Sequence, residues 1–471
     1  MPRLSSGQGL YPSIIISAFC LALVFVASLF HREAVTQLSD DIADRARLSY
    51  DSVRQKVYEK AYGVGGGGNA PLPAVISPYG GDKKAYLEPE WEWARDVSIV
   101  YTWVNGSDPK QRAQKQKYGI ALESERDRDN DDLRHSFRAL NKYMPWHTGP
   151  IFLVTPPGQY PNWLELNNPR IHLINQEDLL QPYEKPSFNS NCFESLFHLI
   201  AGLSEQFIVM NDDYFFGKPV HPSDFFALTP APSSSSASSS SSTSSAVHRR
   251  RKARGGYAED MDELRPEVGI KMFLEPTSYG YADSWKGEDQ WPKSVRLTAQ
   301  VVKETYGEIF NERTRITEHS PFVLDKRALQ GIHQRFNMHL RRNCQHKTRA
   351  SDDVIPPFLH HQWIIQEGSR SHGIKYEIVT GKSKFFEWIL DTERNIREFK
   401  NIIESKNPPT FFNINDKMGF DSNNADKIRL AQNQLKRVME EWLPDPSEFE
   451  RVDRIECTQN SALMHSCNVV S

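Results

Sequence analysis

Between Pro186 and Val220 a polar stretch, an amphipathic run and a short apolar run follow one another, and the last stops on acids. Phe193, Phe197, Ile200 and Leu203 recur at helical spacing and predict a helix after the polar loop Ser187 to Asn191. Phe207 to Met210 predicts a short buried strand that ends in Asn211-Asp212-Asp213. The two signatures alternate along the chain. Strands are predicted at 97–103, 151–154 and 171–174, and a helix at 131–143, where Leu133, Phe137 and Leu140 align and Pro145 marks the stop. Further helices are predicted around 325–336, 356–366 and 425–442. Strands alternating with helices predict an α/β fold, a parallel or mixed sheet covered by helices.

Polar and apolar composition also divides the chain into parts. Leu10 to Phe30 carries no charge, close to the roughly 20 residues needed to cross a bilayer. It exceeds the apolar core of about 7–15 residues of a cleaved signal peptide. Residues 11–31 are therefore expected to be a transmembrane signal anchor behind a cytoplasmic tail, 1–10. Arg3 on one side and Arg32 with Glu33 on the other do not orient it. Residues 32–94 read as a stem and a linker containing Gly65 to Gly68, Pro71, Pro73 and Pro78. The catalytic domain is expected in two parts, 95–228 and 269–450, with a tail at 451–471. Between the two parts, 229–268 is rich in serine and arginine and too polar to bury a core. A net charge of −3 gives no electrostatic case for a nucleic-acid partner. Cys192, Cys344, Cys457 and Cys467 lie outside the apolar span and lack zinc-site spacing. Cys457 and Cys467 either pair, in an oxidising compartment, or remain free thiols.

The acids that end the 207–210 strand stand where open α/β sheets bind ligands. Asp212 and Asp213, with Glu194 on the preceding helix, suit a hard divalent cation and through it the phosphates of a nucleotide. The strand 97–103 runs into Asn105-Gly106-Ser107-Asp108, a turn that is either ordinary or a place for backbone N–H groups to approach phosphate. This turn also holds the only glycosylation sequon, which is expected to go unused. Asn130 or Asp131 is expected to cap the next helix. The acids Asp127, Asp129 and Asp131 do not make a calcium loop, because Asp132 and Arg138 stand where glycine and glutamate are needed. Arg134 and Arg138, one turn apart, are either solvated or placed to clamp a diphosphate. His319, followed downstream by Arg349, has the proton affinity of a general base.

Four blocks carrying these residues resemble the Stealth family of sugar-phosphate transferases, in the order expected of it. They are VSIVYTWVNGSDP at 97–109; 128–164 continuing through FNSNCFES and FIVMNDDYFFGKPV; EHSPFVLDKRAL at 318–329 with TRASDDV at 348–354; and TFFNINDKMGF at 410–420 leading to WLPDPSEFE. The family includes bacterial capsular polysaccharide phosphotransferases and the α/β subunit of the Golgi GlcNAc-1-phosphotransferase. The resemblance implies a GT-A-like mixed sheet in one lumenal catalytic domain of a single-pass type II Golgi protein. It implies transfer of a sugar-1-phosphate, GlcNAc-1-phosphate-like, from a UDP-sugar to a hydroxyl of a mannose-type or polysaccharide acceptor, leaving a phosphodiester. It also implies Mg2+ or Mn2+, while assembly as a homodimer stays open. By motif position the metal ligands are Asp213, Asp212, Glu194 and Asp416, the last with Asn415 matching the family's final Asn-Asp pair. His319 is the expected base with Asp108 as its rival, and Arg134, Arg138 and Arg349 the charge-neutralising cations. Asn105, Gly106, Asn130, Asn189 and Asn191 are expected on the substrate. Two alternatives stay open: a metal-dependent glycosyltransferase releasing UDP, and a catalytically inactive Golgi glycan-binding protein.

Overall fold

Short apolar segments build sheets of five, three and three strands in the computed structural model, which describes residues 85–122, 128–229, 267–275, 286–287, 289–307, 315–419 and 421–451, and the backbone of a further two-stranded pair beyond. In chain order the elements are β1 (Ser98–Thr102), α1 (Pro109–Lys117), α2 (Asp132–Tyr143), β2 (Ile151–Thr155), β3 (Ile171–Asn175), α3 (Ser190–Ser195), β4 (Gln206–Asn211), β5 (Tyr214–Phe216) and β6 (Phe226–Thr229). There follow β7 (Glu267–Phe273), α4 (Gln290–Tyr306), β8 (Phe322–Asp325), α5 (Lys326–Arg335), α6 (Asn337–Gln345), α7 (Pro356–Trp363), β9 (Tyr376–Val379), β10 (Ser383–Trp388), α8 (Thr392–Ile403), β11 (Phe411–Asp416), α9 (Ala425–Trp442), β12 (Ile455–Thr458) and β13 (Ser466–Val469).

The main sheet has the order β3-β2-β1-β4-β8. The first four strands are parallel and β8 runs antiparallel to β4. Such strands are covered on both faces, which is why β1, β2 and β4 read as unbroken apolar runs. From β1 the chain steps outward to β2 and β3, then returns to place β4 on the other side of β1. The order reverses there, and the crevice at the carboxyl ends of β1 and β4 is the switch point where α/β sheets take ligands. The mixed, helix-covered sheet agrees with the expectation from sequence.

Asp212 and Asp213 form a two-residue turn that hands the chain from β4 to β5, a strand of a second sheet ordered β10-β11-β5. The Asp213 carbonyl accepts the Ile414 N–H at 3.1 Å, fastening the turn to β11. One face of this second sheet packs Phe215, Phe412, Ile414 and Phe386 against Phe399, Ile402, Leu435 and Met439 of α8 and α9. Phe216 and Phe411 join the main core. The third sheet, β6-β7-β9, pairs β6 with β7 antiparallel from Phe226↔Ile270 to Thr229↔Glu267.

Several local expectations are corrected. The helix expected to run to Leu203 is α3 followed by a 3-10 turn, Phe197–Leu199, although Phe193, Phe197, Ile200 and Leu203 are all buried. The helix expected over 356–366 is α7, which passes into a π turn, Ile364–Gly368. The proposed anchor 11–31, nearly all of the stem 32–94 and nearly all of the insertion 229–268 lie outside the described residues. Among the described residues no helix is long and apolar enough to cross a membrane. The backbone of β12 and β13 sets Cys457 opposite Cys467.

A disulfide that the sequence did not single out joins Cys192 of α3 to Cys344 of α6 across 152 residues. Replacing both cysteines by serine is expected to lower unfolding stability by about 2–5 kcal/mol. Chemical denaturation of the purified protein reads this from the midpoint, and a loss below about 1 kcal/mol would show that the surrounding hydrogen bonds suffice.

Candidate active site at the switch point

Helix α2 is tied to the crevice from within the core. The Ser136 hydroxyl donates to the Tyr214 carbonyl at 2.6 Å and lies 3.2 Å from the Tyr101 hydroxyl of β1. Asp132, one turn earlier on the same helix face, is thereby carried to the Asp212-Asp213 turn. Burial first, then Asp212, Asp213 and Asp129, push the Asp132 carboxyl well above its ordinary range. Asp212 is raised in the same way, by burial and then by Asp213. Burial also raises Asp213, which the neighbouring Asn413 amide and Arg349 partly oppose. These acids repel one another in a water-poor crevice, an arrangement that calls for positive charge.

Arg349 supplies part of it. Its Nε donates to the Ser190 hydroxyl at 2.7 Å, and its charge acts on Glu194, Asp213 and His319. Burial raises the Glu194 carboxyl, with Arg349 and Ser190 opposing. Burial, then Arg349, lower His319 to about 4, so its imidazole is neutral at neutral pH. The ring is packed against Tyr214 at 5.2 Å and Phe385 at 5.5 Å. Its backbone is fixed as well, because the Ser383 hydroxyl donates to the His319 carbonyl at 2.6 Å and Glu318 accepts the Gly381 and Ser383 N–H groups. The structure thus brings together Glu194, Asp212, Asp213, His319 and Arg349. Asp132 joins them, missed in the sequence because Asp131 and Asp132 are adjacent and only the tie through Ser136 shows which one faces the crevice.

Other expected site residues have different partners. Arg138 is 3% exposed, and its guanidinium is bound to Glu450, Glu440 and the Leu443 carbonyl, so it holds the C-terminal segment instead of a diphosphate. Arg134 donates to the same Glu450 at 2.6 Å. Asp416, expected on a metal, receives Arg128 through both oxygens at 2.7 Å, together with the Met418 N–H. Asn130 bridges Asp416 and Gln432. Asn189 and Asn191 both donate to the buried Asp353, which also accepts the Ala350 N–H. Their work is to hold the loop that carries Arg349. Asn105 closes its own turn by accepting the Ser107 N–H and hydroxyl, and Gly106 is buried in that turn. Asp108 caps α1 by accepting the Gln111 N–H at 2.9 Å. Asp131, not Asn130, occupies the N-cap position of α2, but in a left-handed conformation (φ 68°) and without a side-chain cap bond.

Among the described residues no group of three or more His, Cys, Asp or Glu side chains is placed to hold a metal ion alone. The oxygen-rich, mutually repelling set Asp132, Asp212 and Asp213 nevertheless has the chemistry of a Mg2+ site, since Mg2+ takes one or two carboxylates and completes its shell with phosphate and water.

The chain matches the models Stealth protein CR1, conserved region 1, over residues 95–123; Stealth protein CR2, conserved region 2, over 126–233; and Stealth protein CR3, conserved region 3, over 318–366. It is 26% identical over 366 residues to an exopolysaccharide phosphotransferase of Streptomyces coelicolor, covering 76% of this chain and 53% of that protein. It is 25% identical over 367 residues to one of Nocardia farcinica, covering 76% of this chain and 61% of that protein. Over 107 residues it is 42% identical to the human N-acetylglucosamine-1-phosphotransferase subunits alpha/beta, covering 22% of this chain and 8% of that protein. The chain spans about half the length of the first of these relatives. Among solved structures it is similar to the galactosyltransferase LgtC in complex with donor and acceptor sugar analogues, at 9% identity and a TM-score of 0.30 over 74% of this chain and 99% of that chain, a likeness too distant to bear on the fold. Asp108 falls in the first matched region, Asp132, Glu194, Asp212 and Asp213 in the second, and His319 and Arg349 in the third. The chain thus carries Stealth conserved regions 1, 2 and 3, in that order along the sequence.

Proposed function

We propose that this protein transfers a sugar-1-phosphate from a UDP-sugar to a hydroxyl of an acceptor glycan. The observation that carries this reading is the set of Arg349, Glu194, Asp213 and His319 gathered at the switch point of the main sheet. The names of the bacterial relatives, exopolysaccharide phosphotransferases, favour it. The acceptor oxygen attacks the phosphorus attached to the sugar, the bond from that phosphorus to the bridging oxygen breaks, and UMP leaves with the electron pair. His319, neutral beside Arg349, takes the hydroxyl proton. A weak base suffices, because a loose phosphoryl transfer makes the attacking hydroxyl acidic only as the new bond forms. Arg349 neutralises charge on the transferred group, a matter of position and electrostatics. Asp213 with Asp212 and Asp132 would hold Mg2+, which when bound brings positive charge to the diphosphate.

The reading extends to a type II Golgi protein anchored through 11–31 with its catalytic domain in the lumen. The uncharged run supports the anchor, and a disulfide such as Cys192–Cys344 suits an oxidising compartment. The full chain, incubated with UDP-N-acetylglucosamine and a panel of mannosides and bacterial polysaccharides, is expected to release UMP and form a phosphodiester. Release of UDP would make it a glycosyltransferase, and binding without turnover a glycan-binding protein.

A further inference from the structure

A histidine that takes a proton is ordinarily oriented by a third group bonded to its other ring nitrogen. His135 and His147 have such partners, but neither ring nitrogen of His319 is hydrogen-bonded among the described residues. Its ring is held by packing instead, with Tyr214 at 5.2 Å and Phe385 at 5.5 Å. Phe385 belongs to β10, so the orientation of His319 depends on how the start of that strand is fixed.

Glu318, the residue next to His319, fixes it. One carboxylate oxygen accepts the Gly381 N–H and the other accepts the Ser383 N–H at 3.0 Å. The turn is shaped for this: Gly381 has φ 69°, which favours glycine, and neighbouring N–H groups in such turns converge on an anion. The backbone of Glu318 is fastened in turn to β7, where its N–H donates to the Phe273 carbonyl at 2.8 Å. Ser383 then returns the grip, donating its hydroxyl to the His319 carbonyl at 2.6 Å. Glu318 thus holds the turn, and the turn holds the adjacent histidine by backbone and by ring.

The clamp uses a charge where a neutral group would fold more easily. Glu318 is 2% exposed and has no cation at ion-pair distance among the described residues. Burial pushes its carboxyl up to about 7, with Glu275 adding to the rise and the Gly381 and Ser383 N–H groups opposing it. Its ionised form is therefore kept at a cost to stability. A glutamine would avoid that cost, yet it offers one oxygen and turns an N–H donor toward the second N–H.

We propose that Glu318 is a positioning residue, which by seating the 381–383 turn sets the orientation of the His319 ring for taking the acceptor proton. The inference rests on the reading of His319 as the base.

Turnover of the full chain, measured as UMP release from UDP-N-acetylglucosamine, is compared for the parent, Glu318→Gln, His319→Ala and the double variant. Glu318→Gln is expected to lower kcat about tenfold or more and to leave KM for the nucleotide sugar unchanged. In the His319→Ala background the same change is expected to lower kcat no further, because a residue acting through the base has nothing left to act on. Equal losses in both backgrounds would mark a structural contact and overturn the proposal, as would parental kcat in Glu318→Gln. Should Glu318→Gln fail to fold, Ser383→Ala, which removes the hydroxyl on the His319 carbonyl, takes its place. Imidazole NMR signals of the histidine-labelled full chain, with His319 assigned by its loss in His319→Ala, give a reading without turnover. The His319 signals are expected to broaden or split in Glu318→Gln while those of His135 and His147 stay as they are; unchanged His319 signals would overturn the proposal. A parent that responds in this way but releases no UMP keeps the positioning and removes the transfer. A parent that releases UMP while the variant leaves both readings unchanged removes the positioning alone.

Discussion

Replacing Asp213 with asparagine is expected to lower turnover by about a thousandfold while leaving the protein as stable or more stable at neutral pH. The substitution keeps shape and removes one charge from a crowded acidic crevice. Burial holds the Asp213 carboxyl above its ordinary range, at about 6. A carboxyl raised in this way contributes stability that is complete below its unfolded value, about 4, and is lost as pH rises through its folded value. Asn413 and Arg349 offset only part of the cost of the charged form. The variant therefore gains on the parent as pH rises from about 4 through the folded value of about 6 and keeps that gain above it, which melting curves at a series of pH values will read. With the proposed Mg2+ at millimolar concentration, the parent is expected to recover the difference and the variant to gain nothing. A variant that keeps parental turnover, or that melts well below the parent at pH 8 without metal, would remove Asp213 from the machinery.

Glu450→Gln is expected to cost about 3–5 kcal/mol of stability at neutral pH, because it removes the only buried carboxylate on the buried Arg138 guanidinium and leaves it the half-exposed Glu440. Glu450 is 4% exposed and receives Arg138 at 2.8 and 3.0 Å, Arg134 at 2.6 Å and the Ser447 N–H at 2.8 Å. Burial by itself would raise this carboxyl, but the bonds from Arg138, Ser447 and Arg134 overcome it and hold it at about 2. The stability it contributes is present above its unfolded value of 4.5 and is lost as pH falls through about 2. Denaturation curves should therefore show a wide gap between parent and variant at pH 7 that narrows steadily toward pH 2. A gap below about 1 kcal/mol at pH 7 would mean that water or Glu440 replaces the lost partner.

Arg134 and Arg138 show where the sequence stops being legible. Both sit on one helix face at equal promise as phosphate clamps, and nothing local distinguishes them from structural cations. Their role is set by Glu450, which both of them bind, 316 residues beyond Arg134 and 312 beyond Arg138. Asn189 and Asn191 are the same case, since their partner Asp353 lies more than 160 residues away. By contrast β4 and its terminal acids were readable, because an unbroken apolar run and an abrupt pair of charges are both local signals. The pairing of Cys192 with Cys344 was not, as spacing alone never fixes connectivity.

Thr229 and Glu267 face each other as the last pair between β6 and β7, so the chain departs and returns at a single point. Whatever lies between is a detour whose ends are already joined. Closing a longer detour costs only about 0.6 kcal/mol for each doubling of its length. The pairing of β6 with β7 holds the two ends together whatever the length between them, so an engineer who wants to graft a reporter onto this scaffold has a natural doorway there.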